Sequence, residues 1–212
     1  MFDTSKRYAV LGLARSGIAA AQKIRELGGT AFLSDSQSQD KISGTAELTQ
    51  DFECEFGGHS DRLFDYDPWI VSPGIPLDLP ILQKARAKGI ELINEIEFGY
   101  RIKASDSRII AVTGSNGKST TVSLIQHILK NMGYNSILAG NIGSAFCSHP
   151  IERTGIDFIV LEISSFQLDL IDSFRPDVAV LLNITPDHLN RYASFEDYAA
   201  SKFRIFANQT DD

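Results

Sequence analysis

Ile109-Ile110-Ala111-Val112-Thr113-Gly114-Ser115-Asn116-Gly117-Lys118-Ser119-Thr120-Thr121 is an apolar strand running into a Gly-rich turn, then Lys-Ser-Thr, then a helical run from Val122. This is the order of a phosphate-binding loop. Its glycines let backbone N–H groups close around phosphate oxygens, and the next helix points its positive end at the same place. In such a loop Lys118 reaches the β- and γ-phosphates and Ser119 offers a hydroxyl to Mg²⁺. Val112 stands where the generic pattern has its first Gly, so the loop is a shortened T-G-x-x-G-K-S form. The competing reading is a Gly-rich turn with a solvated lysine. Strand, turn, Lys-Ser and helix in the required order favour phosphate binding.

Strands and helices alternate on both sides of this loop. Upstream, the pattern predicts strands over 8–13, 30–33 (closing on Asp35), 69–71 and 91–93. It predicts helices over 16–27, with Ile18, Ala21, Ile24 and Leu27 on one stripe, and over 79–88. Residues 36–51 are polar and irregular, with at most a weak helix. Downstream it predicts helices over 122–132, 166–171 and 195–207 and strands over 136–139, 158–163 and 178–183. Strands separated by helical crossovers imply an α/β fold with parallel sheets. The polar hinge Lys103-Ala104-Ser105-Asp106-Ser107 places a boundary near residue 105. The expected units are a Rossmann-like domain over 1–104 and the first part of a P-loop-type α/β ATPase domain over 105–212.

Composition narrows the function. The chain has 212 residues, enough for about one or two domains. Acidic residues outnumber basic ones, 27 to 20, which argues against a nucleic-acid binder and fits anion binding in small focused sites. Cys54 and Cys147 form no C-x-x-C and read as unpaired thiols of a reducing compartment. No signal-peptide core and no apolar run of membrane length is present, so the expected location is cytoplasmic.

Gly12-Leu13-Ala14-Arg15-Ser16-Gly17 lies between the first strand and first helix as G-x-A-x-x-G, with Asp35 at the end of the next strand. It looks like a dinucleotide fingerprint whose middle Gly is replaced by Ala14. The alternative is tight strand–helix packing without a ligand. A second turn, Ser72-Pro73-Gly74-Ile75-Pro76, follows another strand. Together they suggest a nucleotide whose base meets Asp35 and whose phosphates meet the turns.

Three polar clusters close later strands: Gly140-Asn141-Ile142-Gly143, Glu162-Ile163-Ser164-Ser165-Phe166-Gln167, and 183–192, which includes Asp187, His188 and Arg191. An acid at the end of an apolar strand is the usual partner of a phosphate loop, and Glu162 fits that place. His188 reads as a second metal ligand or as a capping or surface residue. Phe195, Ala199, Lys202 and Phe206 recur on one helical face, where a lysine is costly unless it snorkels, pairs or changes its chemistry. The pattern by itself points to snorkelling.

The motifs 113–120, 140–143, 162–168 and 187–192, in this order, resemble those of the Mur ligases, the ATP-dependent amino-acid-adding enzymes of peptidoglycan synthesis. Ser-Ser-Phe-Gln after Glu162, Ser-Pro-Gly-Ile at 72–75 and Glu95-Ile96-Glu97-Phe98 are similar to the branch that adds D-glutamate. The resemblance implies that Arg15, Ser16, Asp35, Ser36, Ser72, Pro73 and Gly74 bind the UDP part of the substrate. It implies that Gly114, Ser115, Asn116, Gly117, Lys118, Ser119 and Thr120 hold ATP. Ser119 and Glu162 would bind one Mg²⁺, and His188 with an N-carboxylated Lys202 a second. Asn141, Ser164, Gln167 and Arg191 would face the muramoyl-alanine. Asn190 departs from a common family Asp. The implied substrates are UDP-N-acetylmuramoyl-L-alanine and D-glutamate, and the implied state is a monomer. The implied catalytic set is Lys118, Glu162, His188 and Lys202.

Members of the family are longer, so the chain is expected to be a part lacking the amino-acid-binding domain and inactive by itself. Other Mur-type amino-acid ligases, an NAD-dependent oxidoreductase and a non-catalytic nucleotide-binding regulator are the rival readings. Ala14 and the phosphate loop count against the oxidoreductase, and a second metal site counts against the regulator.

Overall fold

A computed structural model describes residues 2–187 and 191–210. The first sheet is built from β1 (Arg7–Leu11), α1 (Arg15–Glu26), β2 (Thr30–Asp35), α2 (Thr45–Asp51), β3 (Glu53–Phe56), β4 (Trp69–Val71), α3 (Pro80–Ala87) and β5 (Leu92–Ile93). Its strand order is β3-β2-β1-β4-β5, all parallel. Helix α4 (Glu95–Ile102) leads on to β6 (Arg108–Thr113), α5 (Lys118–Asn131), β7 (Ser136–Gly140), β8 (Phe158–Glu162), α6 (Ser165–Leu168), β9 (Val178–Leu181) and α7 (Phe195–Phe203). The second sheet runs β7-β8-β6-β9, again parallel. Strand order reverses beside β1 and beside β6, and ligand crevices form at the carboxyl ends of such switch points.

The twofold alternation of strand side chains decides what each sheet face covers. Tyr8 and Val10 face a cluster that also holds Ile109 and Ala111 of the second sheet, with α1, α4 and Phe146 between them. Ala9 and Leu11 face Trp69, Leu82 and Ala85 on the outer side. Val112 and Val160 pack on Val122 and Leu129 of α5. The two sheets therefore share one apolar layer although the chain passes between them only once.

Several elements differ from expectation. β3 was not foreseen: its Glu53-Cys54-Glu55-Phe56 is half-buried at the sheet edge and carries little apolar signal. α4 was not foreseen either, because it is short and buries two glutamates. Asn94 caps it, accepting from the Glu97 amide at 3.0 Å. α5 begins at Lys118 rather than Val122, so Lys118 to Thr121 are its first turn. α6 is a single turn over Ser165–Leu168. α7 buries Tyr198, Ser201 and Lys202, continued by Ile205, while Phe203 and Phe206 are exposed. The stripe through Phe206 is thus displaced by one residue. Both cysteines are free. Among the described residues no helix is long and apolar enough to cross a membrane.

Candidate functional site

At the β1/β4 switch point the G-x-A-x-x-G turn closes tightly. A Cβ on Gly17 would lie 1.9 Å from the Gly12 carbonyl oxygen, so only glycine lets α1 start there. Ser72 Oγ donates to the Gly12 carbonyl at 2.7 Å and locks the second turn on the first. Asp35 accepts from the Leu13 amide at 2.6 Å and the Gln37 amide at 2.8 Å. No side chain caps α1 at Ala14, so the amides of its first turn face the crevice without an intrahelical acceptor. Such a terminus attracts anions.

The crevice is a cavity of about 810 Å³. Arg15, Ser16, Asp35, Ser36, Ser72, Pro73 and Gly74 line it from the first sheet, and Asn141, Ser164 and Gln167 line it from the second. Arg191 lies at its edge, donating to the carbonyls of Pro73, Gly74 and Ile75 at 2.7–2.9 Å. Its guanidinium also stands 4.9 Å over the Phe166 ring. Ser164 and Gln167 hold each other in a capping box at α6, which the S-x-x-Q spacing encodes. Lys41 and His59 line the cavity too and were missed. His59 Nδ1 lies 2.7 Å from Ser34 Oγ. Burial lowers its pKa against the pull of Glu55 and Asp35. The signal for His59 was hidden because it follows the unrecognised β3.

The phosphate loop sits at the β6 switch point. Gly117 has φ +85° and caps α5, so Gly114-Ser115-Asn116-Gly117 is a true strand-to-helix turn. Asn183 holds it, accepting from the Asn116 amide at 3.0 Å and donating to the Asn116 carbonyl at 3.0 Å. The Ser115 amide donates to the Asn183 carbonyl at 3.0 Å. The amides of Lys118, Ser119 and Thr120 have no intrahelical acceptor and form the open anion site. Asn183 and Tyr198, whose hydroxyl meets Ser115 Oγ at 3.0 Å, were given no role from sequence.

Three polar groups converge beside the loop. Ser119 Oγ donates to Glu162 at 2.6 Å, and Asn141 Nδ2 donates to its other oxygen at 2.7 Å. Glu162 is 2% exposed. Lys118 Nζ donates to the Gly114 and Ser115 carbonyls at 2.8 and 3.0 Å. Lys202 Nζ donates to the Gly114 carbonyl at 2.9 Å and lies 4.7 Å over the Tyr198 ring. Lys202 is itself 2% exposed and does not snorkel. Burial, and then Lys118, push its pKa down to about 8 against the pull of Asp187.

Sequence profiles match both halves: the Mur ligase middle domain over residues 112–212 and the MurD-like Mur ligase N-terminal domain over residues 6–94. The chain belongs to the Mur ligase family. The UDP-N-acetylmuramoylalanine–D-glutamate ligase of Alkaliphilus oremlandii is 43% identical over 209 residues, covering 96% of this chain and 46% of that protein. The ligase of the same name from Cytophaga hutchinsonii is 47% identical over 209 residues, covering 97% and 46%. The chain thus spans about half the length of the curated relatives it matches.

Two solved Mur ligases share its fold. The UDP-N-acetylmuramate:L-alanyl-γ-D-glutamyl-meso-diaminopimelate ligase of Neisseria meningitides aligns with TM-score 0.64 and 17% identity, covering 98% of this chain and 69% of that one. The UDP-N-acetylmuramate–alanine ligase of Thermotoga maritima aligns with TM-score 0.56 and 23% identity, covering 96% and 47%.

Phosphate loops of this kind commonly hold a divalent cation beside the bound phosphates. Among the described residues no group of three or more His, Cys, Asp or Glu converges on one point. The Ser119 hydroxyl and the Glu162 carboxylate are hard oxygen donors 2.6 Å apart at the loop, which suits Mg²⁺ held by one carboxylate plus substrate phosphates. As an ammonium, Lys202 has no lone pair for a metal, so its expected ligand role depends on conversion to a carbamate. His188 and Asn190 lie outside the described residues.

Proposed function

We propose that this chain forms the UDP-substrate- and ATP-binding units of a ligase that adds D-glutamate to UDP-N-acetylmuramoyl-L-alanine for peptidoglycan, using ATP and Mg²⁺ in the cytoplasm, as a monomer. The observation that carries the reading is the shared cavity. It runs from the uncapped start of α1 to Asn141, Ser164 and Gln167. Asn141 in turn touches the Glu162 that meets Ser119.

In this reading the substrate diphosphate lies against the first-turn amides of α1 and the Ser72-Pro73-Gly74 turn, and Asp35 and Ser36 face the uridine end. The alanyl carboxylate points toward the phosphate loop past Asn141, Ser164, Gln167 and Arg191. Gly114 to Thr120 cradle ATP. Lys118 leaves its carbonyl partners for the β- and γ-phosphate oxygens and offsets the charge that spreads over the transferred group. A carboxylate oxygen attacks the γ-phosphorus and the bond to ADP breaks, giving an acyl phosphate. The D-glutamate amine then attacks the acyl carbon, phosphate leaves, and the amine proton passes to solvent. Ser119 and Glu162 would hold one Mg²⁺ and His188 with carbamylated Lys202 a second, and the ions would supply charge neutralisation on the phosphates. Lys202 becomes a carbamate when its neutral amine adds to CO₂ and releases one proton.

A thermal-shift panel tests this reading. UDP and Mg²⁺–ATP should each raise the melting temperature, and NAD should not. Stabilisation by NAD alone would make the chain an oxidoreductase instead. Assaying the full-length protein with D-glutamate, L-alanine and diaminopimelate then separates the D-glutamate reading from other Mur-type ligases.

A further inference from the structure

Arg15 opens α1, yet its guanidinium is held by the second sheet. Nη1 donates to the Gly143 carbonyl at 2.7 Å, and Nη2 to the Gly140 and Asn141 carbonyls at 3.1 and 3.0 Å. Three carbonyls converge there because Gly140 and Gly143 both have positive φ, +102° and +64°. Three carbonyl oxygens aimed at one point repel each other unless a donor-rich cation sits among them. The planar fork of an arginine serves three acceptors at once, and the compact ammonium of a lysine does so poorly.

The same loop is pressed against Glu162 from its other side. The Asn141 amide donates to the Glu162 carbonyl at 2.8 Å. Asn141 Nδ2 donates to Glu162 Oε1 at 2.7 Å, while Ser119 Oγ occupies Oε2 at 2.6 Å. A Cβ on Gly140 would lie 2.3 Å from the Glu162 carbonyl oxygen, so no side chain cushions the contact. A continuous polar path therefore runs from the first turn of α1, through the 140–143 loop, to Oε1 of the carboxylate beside the phosphate loop, whose Oε2 is held by Ser119.

We propose that Arg15 is a positioning residue that acts through the 140–143 loop to fix the Glu162 carboxylate, and so links the UDP crevice to the Mg²⁺–nucleotide site. This rests on the reading of Ser119 and Glu162 as Mg²⁺ ligands. Arg15 also lines the crevice, so an anion bound at the start of α1 competes with the loop carbonyls for its guanidinium. Occupancy of the crevice then shifts the loop and the carboxylate together. Removing partners that orient a metal ligand typically weakens metal binding about 10–100-fold. Arg15 acts through one intervening loop, so the low end of that range is expected.

The test compares the parent chain with Arg15→Met, Arg15→Lys and Lys23→Met. Lys23 is a second α1 cation that crosses to the later half of the chain, bonding Glu152 between β7 and β8 at 3.0 Å. The first readout is the Mg²⁺ concentration giving half-maximal binding of a fluorescent ADP analogue. The second is backbone hydrogen exchange over 139–144 in metal-free protein. The expected result is an Mg²⁺ midpoint raised about tenfold in Arg15→Met, with a smaller rise in Arg15→Lys and none in Lys23→Met. Exchange at Asn141 should quicken in Arg15→Met alone. Adding UDP should shift the Mg²⁺ midpoint of the parent chain but not that of Arg15→Met. Equal midpoints and equal exchange in the parent and Arg15→Met would overturn the inference. So would equal effects of Arg15→Met and Lys23→Met, because the role would then be general bracing. If the parent chain binds no Mg²⁺–nucleotide, the functional reading fails first, and this inference falls with it.

Discussion

Lys118 and Lys202, 84 positions apart in the chain, donate to the same acceptor, the carbonyl oxygen of Gly114, at 2.8 and 2.9 Å. Two ammonium groups on one carbonyl repel each other, and that repulsion adds to burial in lowering the pKa of Lys202. The arrangement suits a site that receives a polyanion. On the proposed reading, phosphate would draw Lys118 away and CO₂ would convert Lys202 to an anion.

Lys118→Ala should lower the affinity for Mg²⁺–ATP or the rate of its turnover by at least about a hundredfold. Binding of UDP-N-acetylmuramoyl-L-alanine should stay within a few-fold of the parent, because Lys118 does not line the crevice. Calorimetry with each ligand separately checks this. Equal loss of both ligands would contradict a two-site arrangement.

Lys202→Ala in the full-length protein should lose most activity and regain part of it with acetate or another short carboxylate. Lys202→Arg should be as inactive as Lys202→Ala, since the account requires an anion there. The drop in pKa from 10.5 to about 8 raises the neutral amine available to CO₂ at neutral pH by roughly two orders of magnitude. Removing CO₂ should therefore lower activity reversibly in the parent and leave acetate-rescued Lys202→Ala unchanged. An active Lys202→Arg would return this residue to a plain structural role.

Glu95 gives a pH-dependent prediction. It is buried between the sheets, with Oε1 accepting from the Cys147 amide at 2.5 Å and Oε2 without a hydrogen-bond partner among the described residues. Burial raises its pKa to about 7, against the opposing pull of the Cys147 amide and the Arg15 charge. A folded-state pKa above the unfolded one gives stability that is complete below the ordinary value of 4.5 and is lost as pH rises through about 7. Denaturant unfolding of the parent should show this decline between those values, and Glu95→Gln should flatten it.

Glu97, two residues further along the same helix, carries the opposite sign. Burial raises its pKa, but the hydrogen bonds from Ser173, the Asp172 amide and Arg101 outweigh this and leave it lowered. Its carboxylate also accepts from the Phe174 amide at 2.9 Å, tying α4 to the chain entering β9. The stability it contributes is present above the ordinary carboxylate range and is lost on acidification through its lowered pKa. Glu97→Ala should destabilise the fold by about 3 kcal/mol, because several buried donors lose their acceptor together. Chemical denaturation at neutral pH measures this.

The parts legible in the sequence were those with strong local signals. The loop 113–120, the fingerprint at Gly12 and the acid at the end of β8 each combine an apolar strand with a polar turn. The parallel sheets follow from that repetition. β3 and α4 were hidden because glutamates occupy buried or half-buried positions, and a hydrophobic period does not register them. The carbonyl contacts of Arg15 and Arg191 were hidden for another reason. Each reaches carbonyls far away in the chain, and backbone acceptors leave no residue-type signature. Lys202 was legible as an anomaly on its helix, although the face that buries it includes Tyr198 and Ser201 rather than Phe206.

The central claim is that a substrate carboxylate reaches the nucleotide γ-phosphate across the crevice shared by the two sheets. The most direct measurement supplies the full-length protein with UDP-N-acetylmuramoyl-L-alanine carrying heavy oxygen in both oxygens of the alanyl carboxylate, together with ATP and D-glutamate. Mass spectrometry then follows the released phosphate. The account predicts one heavy oxygen in each phosphate formed, because the acyl–oxygen bond breaks when the amine attacks. Phosphate free of label, with the amide product still formed, would contradict it.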